Sequence, residues 1–568
     1  MQYTNKLQKN YWKYLEFLMF PIAIILTFFI ISQYYQPSNI LVFNQITKIF
    51  IFYFAILNII KIAHYKGDFN YIKKVLIDLI AVVVSFIFLK HLIVFQAYII
   101  LRQVVHLLDK IISTQPAITM FSKFKNHPAK VILISFAFTI LIGTTFLSLP
   151  IASATGESIG LLKAGFTATS ATCVTGLTVL DTGTDFSHFG KIIILLLLQI
   201  GGLGIMTFST ILIMLFSKRI SPVNQSLLQG VMGEATPENL FKLIKAVVFT
   251  TLSFEIFGAL LLFLKFHTHQ YFSHFTTLQI IGHSIFHSIS AFCNAGFCLY
   301  PDSFTKFQGD WFVCIIMMSL IIIGGIGFAV LIDIKTKLFK KKSFKFLSLH
   351  SKIVIIFTLF LIVSGAILIF LFEYQNQFQN LPLKNGLLAS IFQSVTTRTA
   401  GFNTMNITNI SFATALWIIV LMFIGASPGS TGGGVKTTTF AILILSVWSI
   451  IKGRNDVEIF NRSISQRVTK KVMALLAISM SILIILILVL LLSEKEAAFE
   501  KIIFEAFSAF GTVGLSMGIT ADLTSIGKIV IILLMYLGRV GPLTIAFALG
   551  EKKIHIHYHY TEENIAIG

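Results

Sequence analysis

Apolar runs of about 20 residues, separated by short polar or charged segments, recur along the whole 568-residue chain. Runs of this length can cross a bilayer as helices, so the pattern predicts an all-α polytopic membrane protein. Hydrophobic residues make up 56% of the chain and charged residues only 12%. The charged fraction is about half that of an ordinary soluble protein, which supports the same conclusion.

The net charge of +20 is placed unevenly along the chain. Its basic clusters fall in alternate connections between apolar runs, which is the positive-inside pattern. We therefore expect a multi-pass protein of the cell inner (plasma) membrane with both termini cytoplasmic and with membrane lipid around it. No soluble basic domain is present to bind nucleic acid. The clusters are Lys218–Arg219, 335–345, 452–471 and Lys552–Lys553.

Residues 1–117 are predicted to form a separate N-terminal helical membrane module of about four helices. Asp78 in its third apolar run and Arg102 in its fourth give it a faint likeness to a voltage-sensor bundle. A working sensor carries arginines at every third position, whereas Ile99 and Val105 flank Arg102 at that spacing. The module is thus either a degenerate voltage-sensor-like bundle or a packing or regulatory bundle, and the pattern favours the latter.

From about residue 125 the chain repeats one arrangement four times: an apolar helix, a short amphipathic segment, a turn containing glycine, and a second apolar helix. Each short segment has a Phe nine or ten residues before a Gly that precedes Leu or Phe, which indicates internal duplication. The Phe/Gly pairs are Phe166/Gly176, Phe286/Gly296, Phe392/Gly401 and Phe504/Gly514. The predicted repeats are 125–220, 236–340, 348–455 and 465–550, followed by a cytoplasmic tail at 551–568.

The basic clusters give all four repeats the same orientation, with each short segment entering from the outside. This argues against the inverted repeats of many secondary transporters. Four helix–pore-loop–helix units in one orientation can instead surround a pore with pseudo-fourfold symmetry. The second helices also repeat, with Gly201, Gly324, Gly425 and Gly538 at similar distances after the turn glycines.

The four glycine turns have the composition of a cation selectivity filter. Each short helix would point its C-terminal end, the negative end of its dipole, at the pore axis. Glycine permits the left-handed backbone that directs carbonyl groups inward, and a ring of carbonyls can replace the hydration shell of K⁺. The predicted filter residues are Val174, Thr175, Gly176, Asn294, Ala295, Gly296, Thr399, Ala400, Gly401, Thr512, Val513 and Gly514.

A second unusual segment, residues 425–436, interrupts the second helix of the third repeat with five glycines and a proline. Non-helical backbone at membrane depth persists only where protein or a water-filled cavity can satisfy its polar groups. The pattern therefore predicts an intramembrane gate, one helix away from the filter. The predicted gate residues are Gly425, Pro428, Gly432, Gly433, Gly434, Lys436 and Arg539.

Residues from about 125 to 550 resemble the ion-conducting subunit of the Trk/Ktr/HKT superfamily of potassium transporters, and most of all the Ktr type. The stretches that carry the resemblance are HPAKVILISFAFTILIGTTFLSLPIA, TSATCVTGLTVLDT, FCNAGF, TRTAGFNT, GASPGSTGGGVKTTT, FGTVGLS and LGRVGPLT. The resemblance implies K⁺ bound at Gly176, Gly296, Gly401 and Gly514. In the plant members Ser at the first position accompanies Na⁺ transport, so Gly176 favours K⁺.

The resemblance also implies a homodimer seated on a cytosolic ring of RCK-type nucleotide-binding subunits. This chain has no Gly-rich phosphate loop after a strand, so the nucleotide is expected only on that separate partner and no cofactor is expected in this chain. Residues 1–117 depart from the Ktr pattern, and the sequence leaves their role open.

Several single residues have competing interpretations. Arg539 is predicted to lie well inside a helix. Its role there is that of an anion counterion, a barrier to cations below the filter, or a donor of hydrogen bonds to the carbonyls freed by the broken helix. The last two roles fit the resemblance and are compatible with each other. Lys436 either caps such carbonyls or begins the cytoplasmic segment. Arg398 is expected to brace the filter from behind, Glu505 to brace it or to attract cations, and His287 to be a satisfied core residue.

The sequence offers no support for an enzyme, because it has no nucleophile elbow, HExxH motif or P-loop. The alternatives to a K⁺-conducting subunit are K⁺ symport coupled to Na⁺ or H⁺, and a Na⁺-permeable cation transporter. In the tail, His555, His557 and His559 share one face of an extended strand, where they could bind a metal or contact another subunit.

Overall fold

The computed structural model describes residues 128–204, 237–339, 344–454 and 456–541, together with residue 544 and a few helical positions between 45 and 56. The chain divides into two compact units, Met1–Asn126 and His127–Gly568. Apart from those few positions, the predicted module 1–117 lies outside the described residues, as does the histidine tail. The account below concerns the second unit.

The described helices of this unit form four successive groups, each with a long or apolar helix, a short helix and a second apolar helix. The first group is α1 (Pro128–Leu147), α2 (Leu161–Thr172) and α3 (His188–Leu203). The second is α4 (Pro237–Thr268), α5 (Thr277–Phe292), α6 (Trp311–Ile326) and α7 (Phe328–Phe339). The third is α8 (Leu349–Glu373), α9 (Leu383–Thr396), α10 (Phe412–Phe423) and α11 (Thr437–Ile451). The fourth is α12 (Gln466–Ser493), α13 (Phe499–Gly511) and α14 (Ser525–Val540).

Three of the described helices are long and apolar enough to cross a membrane: Lys245–Thr268, Leu349–Glu373 and Gln466–Ser493. The pair Trp311–Ile326 and Phe328–Lys337 meets the same test as one span with a 98° bend. Their outward faces are apolar as well, since Leu359 and Leu371 on α8 are largely exposed. Leucines exposed along a helix of this length indicate a surface that faces lipid rather than water.

The four short helices lie inside the bundle formed by the longer ones. The phenylalanine that marks each repeat is buried, at 0–5% exposure, in the hydrophobic core: Phe166, Phe286, Phe392 and Phe504. Of the four, only α5 begins at a side-chain cap: the Thr276 side chain accepts from the Gln279 N–H and the Gln279 side chain accepts from the Thr276 N–H. The buried phenylalanines are therefore the feature that all four short helices share.

The second helices are shorter than their apolar runs suggest. The apolar run of residues 310–331 does not form one continuous helix, because the chain bends at Gly327 between α6 and α7. Gly327 has φ +101°, and a Cβ there would lie 2.6 Å from the Pro428 carbonyl oxygen. Likewise, α3 ends before Gly204 (φ +79°) and α14 before Gly541 (φ +89°). A glycine with positive φ, which residues with a Cβ rarely adopt, therefore follows each of these helices.

The described residues are mostly helical, in agreement with the predicted all-α class, and one connection departs from it. Strands β1 (Val457–Ile459) and β2 (Arg462–Ile464) pair antiparallel between the third and fourth groups. The two residues that join them, Phe460 and Asn461, have φ of +52° and +58°, as a tight hairpin turn requires. Val457 and Ile464 are buried and face each other across the pair. Two strands of three residues are too short to give a recognisable alternation in the sequence.

Candidate functional site

The four predicted filter turns follow the C-terminal ends of the short helices α2, α5, α9 and α13. In every turn the first and third residues have positive φ and the middle residue does not. The first residues are Val174 (57°), Asn294 (58°), Thr399 (81°) and Thr512 (50°). The third residues are Gly176 (94°), Gly296 (72°), Gly401 (78°) and Gly514 (92°). A left-handed conformation at a β-branched residue such as Val or Thr is strained, and such strain is often found at functional sites.

The four turn glycines meet in a closed ring. A Cβ built on Gly176 would lie 2.9 Å from the Gly296 Cα, and one on Gly296 would lie 3.1 Å from the Gly401 Cα. A Cβ on Gly401 would lie 3.2 Å from the Gly514 Cα, and one on Gly514 would lie 2.9 Å from the Gly176 Cα. Real Cβ atoms rarely approach so closely, so no side chain fits at any of the four positions. The residues that the sequence predicts as one filter are therefore together in the structure.

Hydroxyl groups of the short helices support the turns, and the sequence prediction missed them. The Ser170 Oγ accepts from the Gly176 N–H, and the Ser508 Oγ accepts from the Gly514 N–H, each at 3.1 Å. In the second turn the Ser290 hydroxyl donates to the Phe297 carbonyl at 2.8 Å. All three serines lie four residues after the phenylalanine that marks the repeat. This shared position is the pattern that could have revealed them.

The third turn is one residue shorter. Thr396 takes the place of the serines, and its carbonyl accepts from both the Ala400 N–H (2.9 Å) and the Gly401 N–H (3.4 Å). Three of the turns that form the ring therefore have the same length, and the third turn is one residue shorter.

His287 and Glu505, each directly after a marker phenylalanine, tie their short helices to the segment beyond the turn. His287 Nε2 accepts from the Leu299 N–H at 3.2 Å, which leaves Nδ1 to donate to the His283 carbonyl at 2.7 Å. This agrees with the prediction of a satisfied core residue. The Thr520 hydroxyl donates to Glu505 Oε1, so the bracing alternative fits Glu505.

Arg398 lies behind the third turn and is only 7% exposed. Its Nη1 and Nη2 atoms lie 3.5 Å from the carbonyl and hydroxyl oxygens of Thr358 on α8. The guanidinium thus contacts the helix behind the turn, which fits the predicted brace.

A comparable buried group, Glu255 on α4, accepts from Gln199 Nε2 at 3.2 Å and lies beside Cys293, the residue before the second turn.

A cavity of about 860 Å³ opens onto one side of the ring, and all four turn glycines line it. Asp181 and Asp302 are the only charged residues in its described lining. Cavities lined by one sign of charge concentrate ions of the opposite sign, so this entrance favours cations over anions.

The intramembrane loop, residues 425–436, fills the space between α10 and α11. Its ends are joined, because the Gly425 N–H donates to the Val435 carbonyl at 2.8 Å. Its middle is attached to the second repeat, since the Thr431 N–H donates to the Gly324 carbonyl at 3.2 Å and the Gly429 carbonyl accepts from the Phe328 N–H at 3.0 Å. On the far side, the Gly434 N–H donates to the Gly538 carbonyl of α14 at 3.3 Å. Protein groups therefore satisfy much of the broken backbone, as membrane depth demands.

The loop also contacts the filter turns directly. The Gly433 N–H donates to Thr512 Oγ1 at 3.1 Å, and a Cβ on Gly432 would lie 3.0 Å from the Thr399 Cβ. The sequence separates this loop from the filter by a helix; in three dimensions the chain folds back and removes that separation.

Lys436 and Arg539 both donate to loop carbonyls. Lys436 Nζ lies 2.7 Å from the Gly432 oxygen, so the capping alternative holds for this lysine. Arg539 Nη1 donates to the Thr431 carbonyl, and Nη2 donates to the Gly201 carbonyl at the end of α3. The prediction that Arg539 lies well inside a helix is wrong, because α14 ends at Val540. A cation in the last turn of a helix is favoured by the helix dipole.

Comparison with known proteins shows which family and which relatives the chain is similar to. The family described as TrkH, cation transport protein, matches residues 110–553. The chain is 40% identical over 428 residues to the Ktr system potassium uptake protein B of Bacillus subtilis (strain 168), covering 75% of this chain and 94% of that protein. It is 39% identical over 448 residues to the protein of the same name from Vibrio alginolyticus, covering 78% of this chain and 96% of that protein.

A third relative is named potassium/sodium uptake protein NtpJ, from Enterococcus hirae. It is 38% identical over 451 residues, which cover 78% of this chain and 97% of that protein. Among solved structures, the potassium transporter TrkH from Vibrio parahaemolyticus matches with a TM-score of 0.56 and 19% identity, covering 73% of this chain and 84% of that one. At this identity the match concerns the fold alone.

Proposed function

Because the chain belongs to the TrkH family of cation transport proteins and is close in sequence to its Ktr members, we propose that it conducts K⁺ into the cell as the membrane subunit of a potassium uptake system. Family membership confirms the predicted resemblance, and with the apolar helices it makes the chain a multi-pass membrane protein. It also confirms that the chain is a transporter rather than an enzyme. The observation that carries the proposal is the closed ring of four turn glycines.

The ring suits K⁺ because it presents backbone and no side chains to its centre. Carbonyl oxygens of the turns Val174–Gly176, Asn294–Gly296, Thr399–Gly401 and Thr512–Gly514 would replace water around a dehydrated ion. The acidic entrance with Asp181 and Asp302 would raise the local concentration of cations. Glycine rather than serine at position 176 favours K⁺ over Na⁺ in this proposal.

A second candidate is K⁺ transport coupled to Na⁺ or H⁺, or a pathway that also carries Na⁺. The relative from Enterococcus hirae is named a potassium/sodium uptake protein, and this name supports the second candidate. Against it, the ring itself contains no titratable side chain.

In this proposal the intramembrane loop is the gate. It lies against the filter turns, and Arg539 and Lys436 donate to its carbonyls from below. A fixed positive charge next to the ring would repel K⁺, and the guanidinium bonds would hold the loop across the path. A shift of a few kcal/mol between two loop positions would then open the path.

The proposal also includes assembly. Two copies of the chain would sit side by side in the plasma membrane, with both termini cytoplasmic and an RCK-type nucleotide-binding ring docked on the basic inner surface. The support is that the relatives from Bacillus subtilis and Vibrio alginolyticus are both named as proteins of a Ktr system, and that the segment 335–345 is rich in lysine.

The test is ⁸⁶Rb⁺ uptake into liposomes containing the purified protein, with and without imposed Na⁺ and H⁺ gradients. Uptake that excess K⁺ inhibits, excess Na⁺ does not, and neither gradient drives supports the proposal. Uptake that requires a Na⁺ or H⁺ gradient supports the coupled alternative. An absence of ⁸⁶Rb⁺ uptake both alone and with the regulatory partner would refute K⁺ conduction.

A further inference from the structure

We infer that the intramembrane loop is the floor of the filter, so that movement of the gate also changes ion selectivity, and that Thr512 is the positioning residue that couples the two. The inference rests on the proposed function and extends it. A gate and a filter are commonly treated as two barriers in series, whereas here they share hydrogen bonds.

Thr512 is the first residue of the fourth turn and is completely buried. Its backbone is left-handed, with φ 50° and ψ 49°, which is unfavourable for a β-branched residue. Such a conformation persists only where the surroundings hold it. Its hydroxyl oxygen accepts from the Gly433 N–H at 3.1 Å, so the loop supplies part of what holds it.

Besides this hydrogen bond, the loop packs closely against the filter turns. A Cβ on Gly433 would lie 2.9 Å from the Thr512 Cγ2, and one on Gly432 would lie 3.0 Å from the Thr399 Cβ. Neither glycine has positive φ, so close approach to the filter, and not an unusual backbone, is what requires glycine at both positions. The glycines of the loop thus permit close contact with the filter turns as well as flexibility of the loop.

The contacts of the loop extend beyond the fourth repeat. Thr399, against which Gly432 packs, is hydrogen-bonded to the Asn294 amide of the second turn at 3.2 Å. The Thr431 hydroxyl donates to the Phe292 carbonyl, at the end of α5, at 3.2 Å. In the first turn the equivalent residue is Val174, which has no hydroxyl. These contacts therefore link the loop to three of the four turns.

This arrangement has a direct consequence for transport. With the loop in place, the inner end of the ring is held in the geometry described above. With the loop displaced, Thr512 loses the donor for a buried oxygen and its strained backbone can relax, which shifts the neighbouring carbonyl groups. A filter that discriminates by carbonyl geometry then discriminates less well.

The experiment compares Thr512→Val, which removes the hydroxyl at nearly constant volume, with Thr512→Ser, which keeps it. The matched control is Thr172→Val at the end of α2, because this buried hydroxyl has no hydrogen-bond partner among the described residues. ⁸⁶Rb⁺ and ²²Na⁺ uptake are measured in liposomes without any partner. For Thr512→Val we expect Rb⁺ uptake to rise and the Rb⁺/Na⁺ ratio to fall, each by about two- to tenfold, the effect of one hydrogen bond. Thr172→Val should resemble the parent, and Thr512→Ser, which keeps the hydroxyl, should lie closer to the parent than Thr512→Val does in both measurements.

The inference is overturned if Thr512→Val matches Thr172→Val in both uptake and ratio. If Thr512→Val cannot be purified as a folded protein, deletion of residues 430–433 takes its place. The deletion must then lower the Rb⁺/Na⁺ ratio as it raises uptake, and an unchanged ratio refutes the coupling. A parent protein without K⁺-selective uptake refutes the proposed function instead, so the two failures are distinct.

Discussion

The guanidinium of Arg539 donates a hydrogen bond to the carbonyl oxygen of Thr431, and this bond joins the last turn of α14 to the middle of the intramembrane loop. The same side chain reaches the Gly201 carbonyl of α3, so one residue ties three elements together beneath the filter. No acidic side chain in the described part of the chain forms an ion pair with it. Its positive charge therefore remains available to act on a cation in the pathway.

Replacing Arg539 by Ala should increase partner-independent ⁸⁶Rb⁺ uptake. Two buried hydrogen bonds from a charged donor are lost, each worth about 1.5–3 kcal/mol, so a rise of tenfold or more is expected. Arg454→Ala is the control, because Arg454 forms an exposed ion pair with Glu458 at 3.0 Å that contributes little. Equal uptake by the two variants would make the loop a scaffold and move the gate elsewhere.

Replacing Gly176 by Ser should weaken discrimination between K⁺ and Na⁺. The new Cβ would lie 2.5 Å from the Ala295 carbonyl oxygen and must displace one group of the ring. Gly160→Ser is a matched control, since Gly160 also has positive φ (+83°) but has open space where the Cβ would lie. If both variants keep the parent's Rb⁺/Na⁺ uptake ratio, Gly176 does not belong to the filter.

The serines behind the ring should also matter for selectivity. Ser170→Ala and Ser508→Ala each leave a turn glycine N–H without its acceptor, so a two- to tenfold loss in the Rb⁺/Na⁺ ratio is expected from each. Ser390→Ala on α9 serves as the control, because its hydroxyl donates within its own helix to the Leu387 carbonyl. A similar ratio for all three variants would show that the turns hold their shape without these hydroxyls.

The hairpin β1–β2 should take part in docking the regulatory partner. Phe460 at its tip is 48% exposed, and Lys352 Nζ lies 5.7 Å from the centre of its ring. An exposed aromatic residue beside basic residues such as Arg462 fits an acidic protein surface with an apolar centre. Phe460→Ala should reduce partner affinity at least tenfold in a pull-down titration, without changing partner-independent uptake. Phe499→Ala, another exposed phenylalanine, is the control, and equal affinity for both variants would exclude the hairpin.

The ring glycines and the broken third repeat could be predicted because their causes are local. A glycine nine or ten residues after a phenylalanine, and five glycines with a proline in an apolar run, depend on no distant residue. The bend at Gly327 could not be predicted, because it depends on the Pro428 carbonyl about a hundred residues away. The position of Arg539 at a helix end could not be predicted either, since only the folded chain shows that Gly541 has positive φ. Contact between loop and filter likewise arises from tertiary packing.

The closed ring of glycines limits how far the four copies of the repeat can drift apart. Each missing Cβ faces the glycine of the next copy, so enlarging one residue disturbs its neighbour as well as itself. Eight or nine residues before the ring glycines the copies differ: the residue after each marker phenylalanine is Thr167, His287, Gln393 or Glu505. In a protein built from four successive repeats, each repeat can thus change the residues around its turn while the ring glycine stays the same. The common origin of the repeats remains visible at the ring, because no repeat can replace its glycine without disturbing the next one.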